Sequence, residues 1–134
     1  MTAVMCFGSF DVLHPGHLYY LREAKRYGDK LIVIIAKDNN FRKFKDKEPK
    51  YNEKERLEHI KELPYVNKAV LGNEEDILEV VEEYNPDIIC LGYDQETISM
   101  QELKEQLSKR GIKADIIRIG AYRGDIYKSS KLKK

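Results

Sequence analysis

The segment Phe7-Gly8-Ser9-Phe10-Asp11-Val12-Leu13-His14-Pro15-Gly16-His17 joins two runs of different character. Ahead of it, Ala3-Val4-Met5-Cys6 is a short apolar run that reads as a buried strand. Behind it, Leu18-Tyr19-Tyr20-Leu21-Arg22-Glu23-Ala24-Lys25 reads as a helix. Between them lie two glycines, a small hydroxyl and two histidines spaced His-x-x-His. A strand that turns through glycines into a helix N-terminus presents an anion site, because free backbone N–H groups and the helix dipole face the ligand. Two imidazoles add donors for phosphate oxygens and take up protons where phosphate charge is near. Any one of these residues is ordinary capping or packing chemistry, and Pro15 simply suits a first helical turn. Their meeting on one strand-to-helix turn is what points to phosphate.

Working outward, strand-like and helix-like segments alternate along the whole chain, which predicts a parallel sheet with helices on both faces. Tyr27-Gly28-Asp29 ends the first helix. Lys30-Leu31-Ile32-Val33-Ile34-Ile35-Ala36 is a continuous strand of the kind buried on both sides. It closes on the polar Lys37-Asp38-Asn39-Asn40, at a strand's carboxyl end, where ligands of open α/β sheets gather. Residues 41–50 are too charged for a core and are expected to form a mobile lid that carries lysines to phosphates. Asn52, with Glu55 three residues on, is a capping box opening a helix with the stripe Leu57, Ile60 and Leu63. His59 lies off that stripe, at the surface. Three more strands are expected, at Lys68-Ala69-Val70-Leu71-Gly72, Asp87-Ile88-Ile89-Cys90-Leu91 and Ala114-Asp115-Ile116-Ile117-Arg118-Ile119. The helices between them are expected at residues 75–84, with Ile77, Leu78, Val81 and Tyr84 on one face, and after a Ser99 cap, with Met100, Leu103 and Leu107 in the core and Gly111 as the stop. The fold class is therefore α/β, a Rossmann-like three-layer sandwich on a five-stranded parallel sheet, in a single domain over residues 1–134.

The bulk numbers exclude more than they assert. A hydrophobic content of 42% belongs to a folded globular chain. The apolar run from Leu31 to Ala36 is far short of a membrane span, and no signal-peptide pattern opens the chain, so a cytoplasmic enzyme without a membrane partner is expected. The net charge of +1 gives no reason to expect nucleic acid, although basic residues cluster at 42–50 and 128–134. Cys6 and Cys90 each fall in a predicted buried strand and read as small core hydrophobes, with no zinc spacing and no protein metal site. In the tail, Lys128-Ser129-Ser130-Lys131 places hydroxyls, a cation and free N–H groups where a helix would begin, a second candidate phosphate grip.

Gly8-Ser9-Phe10-Asp11 with His14-Pro15-Gly16-His17 resembles the two-part signature of the cytidylyltransferase-like nucleotidyltransferases, which move a nucleoside monophosphate from a nucleoside triphosphate onto a phosphorylated acceptor. The tail resembles that family's Ser/Thr-rich second signature, and the likeness runs over essentially the whole chain. It implies that His14 and His17 contact the triphosphate, and that Gly8, Ser9, Phe10 and Gly16 line its backbone cradle while Asp11 fixes the turn. It further implies a basic-loop lysine, Lys45 or Lys47, on the phosphates, and Gly92 with Asp94 near the ribose and base. Arg123, Lys128, Ser129 and Ser130 would close over the β- and γ-phosphates, giving His14, His17, Lys45 and Ser129 as the catalytic set. Mg²⁺ would arrive with the nucleotide and bridge phosphate oxygens.

Within the family, Leu91-Gly92-Tyr93-Asp94-Gln95 resembles the archaeal FAD synthetase branch, which joins FMN to the AMP moiety of ATP, with FMN as a substrate. The alternative is a CTP-dependent transferase for glycerol 3-phosphate or a similar polyol phosphate. Those relatives carry an arginine before Tyr-Val-Asp where this chain has Pro64 before Tyr65-Val66-Asn67. Phosphopantetheine or nicotinamide mononucleotide as acceptor, and a non-catalytic nucleotide sensor, are the remaining readings. The resemblance also implies a homodimer through the Tyr65-Val66 region, and Tyr93, Tyr122 and Tyr127 are candidates to stack on an isoalloxazine ring.

Overall fold

Leu31 to Ile35 are buried without exception, because the strand they form, β2 (Lys30–Ile35), is covered on both faces. The computed structural model describes residues 2–76, 78–92 and 100–120, apart from the Phe44 side chain. Within them the order is β1 (Ala3–Gly8), α1 (Pro15–Lys25), β2, α2 (Asp38–Lys45), α3 (Glu53–Lys61), β3 (Lys68–Leu71), α4 (Glu79–Tyr84), β4 (Ile88–Leu91), α5 (Met100–Lys109) and β5 (Asp115–Arg118). The strands form one parallel sheet in the order β3-β2-β1-β4-β5.

The period-2 alternation of the strands separates two cores. Val4, Cys6, Leu31, Val33, Ile35 and Cys90 face α1 and α3, meeting Tyr20, Leu21, Ala24 and Ile60. Met5, Ile32, Ile34, Ile89 and Leu91 face the other way, meeting Leu78, Val80 and Val81 from α4 and its approach and Leu103 and Leu107 of α5. This is the expected three-layer sandwich. Cys6 and Cys90 pair in register on adjacent strands, both fully buried, and burial pushes the Cys6 thiol well above its ordinary range. Among the described residues no helix is long and apolar enough to cross a membrane.

Four local expectations need correction. The first half of the lid expected over residues 41–50 belongs instead to α2, because Phe41 and Asn40 turn inward and leave the cations outside. Its last turn carries Arg42, Lys43 and Lys45, which suit the negative end of the helix dipole, and it stops at Asp46 in the left-handed region at φ 55°. The helix expected from residue 75 begins only at Glu79, since the Asp76 carboxylate accepts the Leu78 N–H at 3.2 Å and makes a turn first. Met100 is half-buried at the start of α5 and is not core, and His59 is half-buried edge-on to Tyr51. The positions expected for Ile77 and Ser99 lie outside the described residues.

The capping box at α3 is present in both halves: Asn52 Oδ1 accepts the Glu55 N–H at 2.9 Å and Glu55 Oε1 accepts the Asn52 N–H at 3.1 Å. Asn52→Ala will therefore lower the unfolding free energy by about 1 kcal/mol in urea titration, while Asn52→Asp will hold most of it. Equal midpoints for all three proteins would remove the cap from the account of α3.

Candidate active site

Open parallel sheets bind ligands at the carboxyl ends of their strands, where the strand order reverses. Here that point lies between β1 and β4. The β1–β4 ladder runs only as far as Cys6 and Cys90, whereas β1 stays paired to β2 through Gly8 and Ile35. Where the first ladder ends, the Tyr20 hydroxyl stands between the strands, donating to the Cys90 carbonyl at 2.5 Å and accepting the Phe7 N–H at 3.3 Å. Burial pushes its phenol well above the ordinary range, so it stays protonated and able to donate.

The turn that leaves β1 is built around Phe10. Its backbone is left-handed at φ 50°, a conformation that costs a non-glycine residue about 1–2 kcal/mol. Its ring folds back into the core at 2% exposure and lies over Gly8, where a Cβ would stand 2.6 Å from the ring carbons. The same ring meets His17 edge-on at 5.4 Å. His14 is the N-cap of α1: its Nδ1 accepts the Gly16 N–H at 3.1 Å, and its carbonyl accepts the N–H groups of His17 and Leu18. With Nδ1 used as an acceptor, the neutral ring carries its proton on Nε2. The two imidazoles stack at 3.8 Å between centroids and 24° between planes. Such a pair at a helix N-terminus is suited to negative charge.

Asp11 reaches across the site. Its oxygens accept the Lys50 and Tyr51 N–H groups, both at 2.8 Å. Burial pushes its carboxyl up, but those two hydrogen bonds with the charges of Arg56 and Lys47 outweigh it and hold the group below the usual carboxylate range. Arg56, which the sequence reading passed over, is 0% exposed. Its guanidinium donates to the carbonyls of Tyr51 (3.0 Å), Ser9 (3.0 Å) and Ala36 (2.7 Å) and to the Asp38 carboxylate (2.7 Å), 5.4 Å from the Phe41 ring centroid. A signal for it exists in the sequence: residues 56, 60 and 63 fall on one helix face at i, i+4 and i+7, so a charged residue heads an apolar stripe.

The structure thus brings Gly8, Ser9, Phe10, Asp11, His14, Gly16 and His17 onto one turn, with Arg56 beneath it. Lys45 ends α2 and is exposed. Gly92 is buried just beyond β4, its carbonyl accepting Arg118 Nη1 at 2.8 Å. Asp94, Arg123, Lys128, Ser129 and Ser130, and the rings of Tyr93, Tyr122 and Tyr127, lie outside the described residues. Among the described residues no group of three His, Cys, Asp or Glu side chains is gathered as a metal site.

Comparison with known proteins gives consistent matches. The family model described as Cytidylyltransferase-like matches residues 5–134. A curated relative from Thermoplasma acidophilum, named FAD synthase, is 43% identical over 134 residues, covering 100% of this chain and 93% of the relative. The FAD synthase of Methanosarcina mazei is 49% identical over 119 residues, 89% of this chain and 77% of its own. Among solved structures, one named as a lipopolysaccharide core biosynthesis protein from Thermoplasma volcanium superposes with a TM-score of 0.87 at 45% identity, over 91% of this chain and 98% of that one. The pantoate-beta-alanine ligase of Francisella tularensis, at 16% identity, TM-score 0.65 and 91% and 60% coverage, shares the fold.

Two outcomes follow from the geometry of the turn. Gly8→Ala drives a methyl group into the Phe10 ring and will cost about 1–3 kcal/mol in urea titration. Asp11 titrates lower in the folded chain than its unfolded value of about 3.9, so its stabilisation is complete above that value and is lost as pH falls through the folded one. Asp11→Asn will therefore be less stable than the parent at neutral pH, with the gap closing as pH drops below ~4. A gap independent of pH would contradict this.

Proposed function

From the premise that the chain belongs to the cytidylyltransferase-like family, we propose that it transfers AMP from ATP to FMN, releasing FAD and pyrophosphate. The chain is a nucleotidyltransferase, as its curated FAD synthase relatives at 43–49% identity are. The observation that carries the site assignment is the stacked His14–His17 pair on the helix N-terminus, next to the crevice between β1 and β4.

In this reading an oxygen of the FMN phosphate attacks the α-phosphorus of ATP in line. The bond from that phosphorus to the oxygen shared with the β-phosphate breaks, and pyrophosphate leaves with the electron pair. No protein nucleophile is required, so the rate rests on positioning and on stabilising charge at the phosphate oxygens. His14 offers its Nε2 proton, the backbone around Gly8, Ser9 and Gly16 offers its N–H groups, and His17, braced by Phe10, offers the second imidazole. Lys45, Lys128, Ser129, Ser130 and Arg123 are assigned to the outer phosphates, and Gly92 with Asp94 to the ribose and base. Magnesium, bound to ATP, supplies charge neutralisation at the phosphates. We assign a homodimer through the Tyr65–Val66 region, which light scattering on the purified chain tests directly.

The deciding assay is pyrophosphate release with Mg²⁺ under reducing conditions, crossing ATP and CTP with FMN and glycerol 3-phosphate. Release with ATP and FMN, with FAD on a chromatogram, is the expected result, and EDTA should abolish it. Release only with CTP and the polyol phosphate would overturn the acceptor assignment in spite of Pro64. His17→Ala is expected to lower the rate about 10²–10³-fold, roughly 3–4 kcal/mol of barrier. A loss under tenfold would remove His17 from the catalytic set.

A further inference from the structure

Tyr51 is held from both sides. Its N–H goes to Asp11 Oδ1 at 2.8 Å and its carbonyl takes Arg56 Nε at 3.0 Å, while the preceding Lys50 N–H goes to Asp11 Oδ2 at 2.8 Å. Five residues upstream, Asp46 turns the chain out of α2 in the left-handed region at φ 55°, which aspartate is one of the few non-glycine residues to adopt. Residues 46–50 therefore form a short charged arm, in which Asp46 and Glu48 offset Lys47 and Lys50 and both lysines are exposed, between a left-handed turn and a two-sided clamp. Asp11 belongs to the histidine turn, and Arg56 also holds the Ser9 and Ala36 carbonyls where β1 and β2 end. One pair of side chains thus references the arm and its two lysines to the histidines.

The chemistry of Asp11 points the same way. A carboxylate held ionised beside a triphosphate repels it unless a cation stands between them, and Asp11 has both oxygens committed to other partners. Both of its oxygens already accept short N–H bonds, and its charge is balanced by Arg56 and Lys47.

We infer that Asp11 and Arg56 are positioning residues: they set where Lys47 and Lys50 stand relative to His14 and His17, and act on nucleotidyl transfer through that arm. The inference rests on the nucleotidyltransferase reading. A displacement of about 1 Å between groups that must act together costs on the order of 10²-fold in rate. The effect falls on kcat, because the arm remains attached and able to bind but no longer aligned.

The test is a cycle. Asp11→Asn keeps the shape but turns an NH₂ toward one of the two N–H donors, so one anchor is lost. It is expected to lower kcat about 10–100-fold with KM for ATP and FMN within about threefold. In the Lys47→Ala/Lys50→Ala background the same change is expected to cost less than about threefold, because the groups it positions are gone. An equal factor in both backgrounds would show that Asp11 acts on the substrate or its metal directly and would overturn the inference. So would a lysine double variant with full activity. Arg56→Lys leaves a buried site short of donors and is read only if it folds, so Asp11→Asn carries the test. A second readout needs no substrate: trypsin should cut after Lys47 or Lys50 faster in Asp11→Asn than in the parent under native conditions, and unchanged cleavage overturns the clamp. If the parent releases no pyrophosphate with ATP and FMN, the acceptor assignment falls while the trypsin arm still judges the clamp.

Discussion

A fully buried guanidinium must find acceptors for its donors or unfold its surroundings, and Arg56 finds four of them in three stretches of the chain. The desolvation cost of such a charge is several kcal/mol, and leaving it unpaired by removing a partner costs about 3–5 kcal/mol. The arrangement that meets this demand brings the ends of β1 and β2, the first residue of α2 and the approach to α3 to one point. Asp38 is the single full charge among the acceptors, and its own N–H is held by Glu53 Oε1 at 2.8 Å. The rest are carbonyls that the ends of strands leave available. The carboxyl edge of the sheet is thus gathered around one cation, and the histidine turn stands on it.

Backbone strain is found at the same edge, at Phe10. Phe10 takes a left-handed backbone so that its ring can cover Gly8 and brace His17, and that cost is offset by burying an aromatic ring against the core. A small residue at position 8 and an aromatic at position 10 are therefore one requirement. The imidazole of His17 is oriented by packing, whereas that of His14 is oriented by its own cap bond to Gly16. Two rings set by independent means stack face to face, which fixes the spacing of two donors at the helix N-terminus.

What was legible in the sequence followed from short-range physics. Strands covered on both faces become unbroken apolar runs, so β2 could be read nearly to the residue. The Asn52–Glu55 box is complete within four positions, and it forms as read. The glycines, histidines and Pro15 of the turn declare a strand passing into a helix. Other features depend on partners far along the chain. Arg56 was passed over because three of its four acceptors lie 47, 20 and 18 residues away. Asp11 was assigned to its own turn, yet its partners are 39 and 40 residues on. The lid expectation failed at α2 because two inward residues, Asn40 and Phe41, outweighed a heavily charged composition.

The crevice itself depends on a single hydroxyl. Parallel strands that stay paired to their ends leave no space between them for a ligand. β1 and β4 pair for three residues and stop at Cys6 and Cys90, while β1 and β2 pair for six. At the break the Tyr20 hydroxyl bonds both strands, supplying a donor for the Cys90 carbonyl and an acceptor for the Phe7 N–H. Without that substitution the strands could separate only by leaving buried backbone groups unbonded, at about 1–3 kcal/mol each. Because Tyr20 stands one turn along α1 from His17, the helix that carries the imidazoles is the helix that holds the strands apart. The opening and the groups that line it are therefore set by one rigid element, and neither can shift without the other.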